Sequence, residues 1–316
     1  MLPVKASPPK ALSRRALEYV RESKAANTRR AYAAAWREFE AFCGARGAAS
    51  IPAAPSILVD YLVQLAARKQ RVSTMRVKVS AISFAHGLAG HPDPAKHPAV
   101  RQVFAGIRRK VGQPARKKAP ATLEDIAGMV GTLPAGLKGK RDRAMLLLGY
   151  SGAFRRSELV ALDVEDLRFG RDALRVTLRR SKTDQEGEGQ TKTIADERPD
   201  LRPVAALREW LRAGKVRSGP VFRPVDQWGH VRDRRVSDKA VALVVKAAAE
   251  ASGLDPAQFA GHSLRSGFIT EAAKNGAPEW AIQEQTGHKS VTVLRGYMQS
   301  AGRGARAAVR AAFGVE

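Results

Sequence analysis

The chain has 316 residues, 55 Lys and Arg against 30 Asp and Glu, and a formal net charge of +25. Such an excess favours a polyanionic partner, nucleic acid first, over a small neutral ligand. The single cysteine, Cys43, excludes an internal disulfide and a cysteine-based zinc site, as is usual in a reducing compartment. No apolar run reaches the roughly 18 residues of a membrane span, and the opening MLPVKASPPK lacks the apolar core of a secretory signal. We therefore expect a cytoplasmic, nucleoid-associated protein with no membrane partner.

The positive charge is unevenly distributed along the chain. Residues 1–120 hold 23 Lys and Arg against 6 Asp and Glu, a net charge of +17, which leaves +8 for the remaining 196 residues. The first third of the chain is therefore expected to supply the main electrostatic contact with a nucleic acid. Basic proteins of many kinds share this property, so charge alone does not specify an activity.

Residues 11–110 have a helical pattern throughout. Apolar residues recur at three- and four-residue spacing, which is typical of helices packed around a core. Asn27 is expected to cap a helix in which four aromatic residues form one buried stripe: Tyr32, Trp36, Phe39 and Phe42. The other helices are expected at Ala11–Ser23, after Pro55, from Ser73 to about Gly90, and from Pro98 to Lys110.

A change of composition at VGQPARKKAP predicts a basic linker. The segment contains two prolines and a glycine, and it has no apolar periodicity. It would either follow a phosphate backbone or serve as a solvated hinge. The expected domains are thus 1–110, all helical, a linker at 111–121, and 122–316.

The second domain is expected to combine helices with a small antiparallel sheet. Thr122 is a predicted N-cap, with Asp125 three residues later. Predicted strands cover Val164–Phe169, Leu174–Leu178 and Thr191–Ala195. Helices are predicted at Gly139–Gly152, Arg202–Ala213, Ser237–Ser252, Ser263–Asn275 and Pro278–Thr286.

Several polar residues of the second domain are suited to binding a phosphate. His262 and Arg265 lie three apart in HSLR at a predicted helix start, where the helix dipole favours an anion. Arg155 follows an apolar helix and a glycine, and its planar guanidinium suits two phosphate oxygens at once. Each residue in isolation is weak evidence, since such arginines and histidines are more often surface or capping groups.

The order of these residues resembles that of the tyrosine recombinases, the phage integrase family. SGAFRRSELVALDVEDL is similar to the family's first arginine box, with Arg155 at the catalytic position and Glu158 at the acidic position. AGHSLRSGFITEAAKNGAPEWAIQEQTGHKSVTVLRGYMQ resembles the second box, with His262, Arg265, His288 and Tyr297. RRSKTDQ resembles the hairpin that carries the catalytic lysine, here Lys182. These motifs occupy residues 145–300.

The resemblance implies a mainly α protein: an all-helical, SAM-like core-binding domain followed by a mixed α+β catalytic domain of the DNA breaking-rejoining fold. It also implies a transesterification without metal or other cofactor, in which Tyr297 attacks DNA and forms a 3′-phosphotyrosyl link. His262 would accept the tyrosine proton, Lys182 would protonate the leaving oxygen, and Glu158 would orient Arg155 or His262. The remaining residues, Arg155, Arg265 and His288, would hold the phosphate. The implied partners are a double-stranded target site and a homotetramer on paired sites.

Some alternatives stay open at this point. Arg156 competes with Arg155 and Lys192 with Lys182, and Ser266 stands where the family often has histidine. A type IB topoisomerase uses similar chemistry without pairing two sites. A basic DNA-binding protein that has lost its activity is a third reading, against which the intact catalytic set argues.

Overall fold

The computed structural model describes residues 23–112, 118–179 and 189–288, together with Arg15, Tyr19 and Val20. The predicted helix at Ala11–Ser23 falls largely outside these residues. The chain divides into two compact units, residues 1–116 and 117–316. Within the described part of the chain, no helix is both long and apolar enough to cross a membrane.

The described part of the first unit is helical. Its helices are α1 (Ala26–Gly44), α2 (Pro55–Ala67), α3 (Val72–Leu88) and α4 (Pro98–Val111), with a short 3-10 helix at Pro94–Lys96. Phe39, Phe42 and Tyr61 pack ring to ring in its core, with centroids 4.8–6.4 Å apart. Only part of the predicted stripe is fully buried, because Tyr32 and Trp36 lie at the edge of this core.

Asn27 is not the cap of α1, and that prediction was wrong. The helix begins at Ala26, and Ala25 precedes it without a side-chain cap. The side-chain oxygen of Asn27 instead accepts a hydrogen bond from Arg30, one turn later. An asparagine that bonds forward to a side chain satisfies no backbone N–H at the helix start.

The second unit is built around a helix whose second half is apolar and buried. Its helices are α5 (Leu123–Gly131), α6 (Leu137–Ser151), α7 (Arg156–Ala161), α8 (Pro203–Ala213), α9 (Asp238–Ala251), α10 (Gly261–Lys274) and α11 (Glu279–Thr286). Residues 144–150 of α6 are all buried, and α8 and α10 pack against this helix. The predicted cap of α5 is confirmed: Thr122 Oγ1 accepts from the Asp125 N–H at 3.1 Å, and the Asp125 carboxylate accepts from the Thr122 N–H at 2.8 Å.

Three short strands form an antiparallel sheet in the order β1–β2–β3. They are β1 (Leu167–Phe169), β2 (Leu174–Leu178) and β3 (Gln190–Ile194). The first predicted strand was too long, because Val164–Asp166 is a 3-10 turn. The Asp166 carboxylate accepts from the Asp163 N–H at 2.9 Å and so closes that turn. With this sheet, the predicted mainly helical fold class is confirmed.

The last residues of the predicted linker pack on the second unit. The Ala119 N–H donates to the Gln258 carbonyl at 2.9 Å, and the Ala121 N–H donates to the Ser263 carbonyl at 3.0 Å. Ala121 is fully buried. This segment therefore runs along the start of α10, where His262 and Arg265 are located.

Replacing Gly267 by alanine should lower the free energy of unfolding by about 2 kcal/mol or more, as overpacking of a rigid site does. A Cβ at Gly267 would lie 1.9 Å from the backbone oxygen of Ala121. The control is Gly128→Ala in α5, where the added Cβ meets only Ser252 Cβ at 3.7 Å. That change should stabilise the protein by about 0.5–1 kcal/mol, the usual gain from alanine in a helix. Urea unfolding measures the free energy of unfolding of both variants, which should change in opposite directions. Equal changes would contradict the close packing of Gly267 against Ala121.

Candidate active site

The turn between α6 and α7 positions Arg155. Gly152 ends α6, and a Cβ there would lie 2.1 Å from the ring of Phe154. Ala153 has a φ of +46°, in the left-handed region that costs an L-residue about 1–2 kcal/mol. This tight turn buries Phe154 and places Arg155 directly before the first residue of α7.

Glu158 fixes Arg155 in two ways. One carboxylate oxygen accepts from the Arg155 backbone N–H at 2.8 Å, and the other accepts from the guanidinium at 2.5 Å. Glu158 is buried and Arg155 is partly buried. The neighbouring Arg156 is exposed, and its aliphatic stem lies against Gly261. Arg155, rather than Arg156, is thus the arginine that Glu158 holds.

Arg265 lies inside the protein, one turn into α10. Only 1% of its surface is exposed. One terminal nitrogen donates to the Ala153 carbonyl at 2.7 Å. The other lies 3.1 Å from Nε2 and 3.3 Å from Nδ1 of His288. Arg265 therefore joins the Ala153 turn to the end of α11.

The hydrogen bonds of Thr286 indicate the tautomer of His288. Thr286 Oγ1 lies 2.7 Å from the Ile282 carbonyl and 2.7 Å from His288 Nδ1. The Thr286 hydroxyl has one proton, which it donates to the Ile282 carbonyl. Its oxygen therefore accepts a hydrogen bond from His288 Nδ1–H. His288 Nε2 is then left as an acceptor facing Arg265.

Both histidines have a lowered pKa. For His288, burial followed by the charges of Arg265 and Arg155 lowers the pKa to about 4. For His262, the second residue of α10, desolvation followed by the charges of Arg265, Arg155 and Arg156 also lowers the pKa. The neutral form of both imidazoles is therefore favoured, and a neutral imidazole can accept a proton.

Lys192 lies beside this cluster of arginines and histidines. It is 1% exposed, and its amine lies 5.3 Å from the centre of the Phe154 ring and donates to the Gln285 carbonyl. Burial lowers its pKa to about 7; Glu158 opposes this shift, while Arg265 and Arg155 add to it. The alternation in QTKTI would have indicated an inward lysine, but not its partner in α11.

The structure brings together Arg155, Glu158, His262, Arg265 and His288. The predicted Lys182 and Tyr297 lie outside the described residues. The described residues include no group of three or more His, Cys, Asp or Glu side chains placed to hold a metal ion. Two guanidinium groups beside two histidines of lowered pKa are an arrangement whose chemistry suits a phosphate, since guanidinium groups offset negative charge and a neutral imidazole can take up a proton.

An NMR titration should find the pKa of His288 near 4 in the free protein. Because the unfolded chain takes up this proton at about pH 6.5, stability should decline as the pH falls below that value. A bound phosphodiester should raise the pKa, since it offsets the charges of Arg265 and Arg155. The His288→Asn variant identifies the resonance, and a free-protein titration near pH 6.5 would contradict the site.

Solved structures of DNA recombinases share this fold. The chain aligns with the Tn1549 transposon integrase in complex with transposon right-end DNA at a TM-score of 0.65 and 14% identity, over 93% of this chain and 97% of that one. It aligns with the XerH site-specific recombinase in a post-cleavage complex with difH substrate at a TM-score of 0.58 and 15% identity, over 81% and 70%. These likenesses show that the chain has the architecture of these recombinases.

Sequence comparison gives the family. The model of the phage integrase family matches residues 122–303. An integrase/recombinase XerD homolog of Selenomonas ruminantium is 38% identical over 293 residues, covering 91% of this chain and 86% of the relative. The tyrosine recombinase XerD of Xanthomonas axonopodis pv. citri is 34% identical over 168 residues, about half of each chain. The chain belongs to the phage integrase family and is a site-specific tyrosine recombinase, as its motifs predicted.

Proposed function

We propose that this protein cleaves a double-stranded DNA site by attack of Tyr297 on a backbone phosphate. The tyrosine oxygen forms a bond to phosphorus, the bond from phosphorus to the 5′ oxygen breaks, and a 3′-phosphotyrosyl link remains. Attack by a 5′-hydroxyl reverses the step and rejoins DNA. The observation that carries the proposal is the cluster of Arg155, Arg265, His262 and His288, whose positive charge suits one phosphate.

Each residue of the cluster has a role that its contacts support. Arg155, held by Glu158, and Arg265, held by the Ala153 carbonyl, bind the nonbridging oxygens. A bound phosphate raises the pKa of His288, and the imidazole, once protonated at Nε2, completes the phosphate site beside Arg265. A tyrosine hydroxyl in water has a pKa near 10, so the attack needs a base, and His262 accepts the proton. Lys182 protonates the 5′ oxygen as it leaves.

The first unit is proposed to be the main DNA-binding domain. Residues 1–120, which include its helices, contribute a net charge of +17. Contacts with phosphates give affinity that declines steeply with salt. The Tn1549 integrase, which shares this fold, was solved in complex with transposon right-end DNA, and this supports DNA as the partner here.

We also propose that four copies act on two DNA sites. A recombinase must exchange strands between two duplexes, and each duplex needs two cleavages. Analytical ultracentrifugation of the protein with a two-site DNA checks this: four chains per two sites are expected. A complex that never exceeds one or two chains would contradict the tetramer.

The test of the proposed function starts by finding the site. Protein is incubated with genomic fragments in EDTA, denatured in SDS, and the covalently attached DNA is sequenced. A nicked duplex carrying the recovered site should then trap the protein, since the short cleaved strand diffuses away before religation. Mass spectrometry should place the phosphodiester link on the peptide that contains Tyr297.

Other outcomes would contradict the proposal. Site-specific binding without any covalent adduct would make the protein a silent DNA-binding protein. Relaxation of a plasmid that lacks paired sites, with no recombinants from a plasmid that has them, would make it a topoisomerase.

A further inference from the structure

Lys192 lies on the buried face of the sheet, where the neighbouring side chains are apolar. The exposed and buried residues of β3 alternate, and Lys192 faces inward like Ile194. Val176 stands opposite it in the β2–β3 ladder, and the other inward side chains of β2 are Leu174 and Leu178. Because burying an amine among such residues costs free energy unless it is paired, the amine requires an explanation.

The amine of Lys192 is hydrogen-bonded to the C-terminal end of a helix. Its amine donates to the carbonyl of Gln285, in the last turn of α11. Carbonyl groups at a helix C-terminus lack helical partners and carry partial negative charge, so they favour a cation. The Phe154 ring, 5.3 Å away, adds a second favourable contact. Glu158 attracts the ammonium but already pairs with Arg155.

Lys192 is one of three side chains that bond β3 to α11. Gln190 Nε2 donates to the Glu284 carbonyl at 2.6 Å, and Gln285 Nε2 donates to the Thr193 and Ser151 carbonyls, both at 3.0 Å. We call Gln190, Lys192 and Gln285 the β3–α11 clamp. Lys192 is its central and most buried member.

The clamp ends directly at the active site. Gly287 closes α11 with a φ of +66°, and His288 follows. A Cβ at Gly287 would lie 2.4 Å from the side chain of Gln190, so the clamp also packs against this turn. In sequence, β3 follows the segment that contains Lys182, and α11 precedes the segment that contains Tyr297. The clamp thus joins the two parts of the chain that adjoin the proton donor and the nucleophile.

We propose that Lys192 is a positioning residue for the cleavage reaction: from inside the protein it holds the end of α11, and with it His288, against β3 and the Arg155 turn. Its amine is buried and bonded to the Gln285 carbonyl, which assigns it to holding α11 and leaves protonation of the leaving oxygen to Lys182. This inference depends on the proposed cleavage of DNA.

The central variant is Lys192→Met, which fills the same space without an N–H donor. A displacement of about 1 Å in a catalytic group costs up to about a hundredfold in rate. We therefore expect the cleavage rate at saturating nicked duplex to decline by about 10- to 100-fold. The Kd for the duplex should remain within about twofold, since the clamp contributes to geometry and not to phosphate binding. Thr191→Met, on the exposed side of the same strand, is the matched control and should cleave like the wild type.

A duplex with sulfur in place of the 5′ bridging oxygen separates positioning from proton transfer. A thiolate leaves without a proton, because its pKa is near 8.5. This substrate should restore cleavage by Lys182→Ala, and it should leave the defect of Lys192→Met in place. Restoration in Lys192→Met would make Lys192 the proton donor and overturn the proposal.

Three further results test the positioning role of Lys192. A Lys192→Met rate within twofold of the wild type would overturn the positioning role, and so would a loss of duplex binding as large as the loss of cleavage. If Lys192→Met does not fold, Gln285→Leu, which removes another bond of the clamp, must show the same loss of rate without loss of binding. Failure of the wild-type protein to form any adduct would instead remove the proposed function itself.

Discussion

The Tyr297→Phe variant should form no covalent adduct with a nicked duplex of its own site, while its Kd for that duplex stays within about twofold. The change removes one oxygen, the nucleophile, and leaves the phosphate contacts in place. The adduct is measured by SDS gel mobility of labelled DNA, with binding measured separately by fluorescence anisotropy.

Tyr150→Phe is the matched control for this prediction. Tyr150 is one of five tyrosines and lies in the core of the second unit, in α6, with its ring edge against Phe268. It loses the same hydroxyl group and should form as much adduct as the wild type. An adduct in Tyr297→Phe that maps to another tyrosine would transfer the nucleophile to that residue.

Arg265→Gln should lower the cleavage rate by about a thousandfold, the upper range for removal of one donor that stabilises a transition state. The guanidinium is held by the Ala153 carbonyl and lies beside His288, so its position is fixed before DNA binds. The glutamine side chain is neutral and shorter than that of arginine. Single-turnover cleavage at saturating duplex measures the loss.

Arg156→Gln is the companion to that experiment. Arg156 carries the same guanidinium group as Arg155 but is exposed, with its stem against Gly261. Its loss should leave the cleavage rate at saturating DNA within about twofold of the wild type, because exposed charges act weakly through solvent. A larger defect in Arg156→Gln than in Arg265→Gln would contradict the assignment of the cluster. Thermal melts exclude simple unfolding.

The features that sequence predicted well were set by local chemistry. The Thr122–Asp125 cap needs two residues three apart, and the structure has both of its hydrogen bonds. Asn27 fits the same local rule but failed, since Arg30 supplied a competing partner. Val164–Asp166 failed as strand for a similar reason, because the Asp166 side chain closes a turn. Local propensity thus identifies candidate caps and strands, and competing side-chain hydrogen bonds determine which of them form.

The sequence motifs predicted which residues share the active site, but not every contact that holds them there. The boxes predicted that Arg155, Arg265 and His288 belong to one site, and the described structure brings them together. The pairing of Lys192 with Gln285 spans 93 residues and has no local pattern. Strand alternation indicates that Lys192 faces inward, but only tertiary packing shows that a helix end receives its amine.

The left-handed conformation of Ala153 has a consequence for protein engineering. Glycine at this position would remove about 1–2 kcal/mol of backbone strain. It would also return roughly 0.5–1 kcal/mol of freedom to the unfolded chain. The first effect is the larger, so a library of variants ranked by melting temperature would score Ala153→Gly as neutral to mildly stabilising. Yet the carbonyl of this residue anchors Arg265, and a looser peptide would aim it less well. Selection for heat resistance alone would therefore overlook damage at this turn that only a strand-cleavage assay detects.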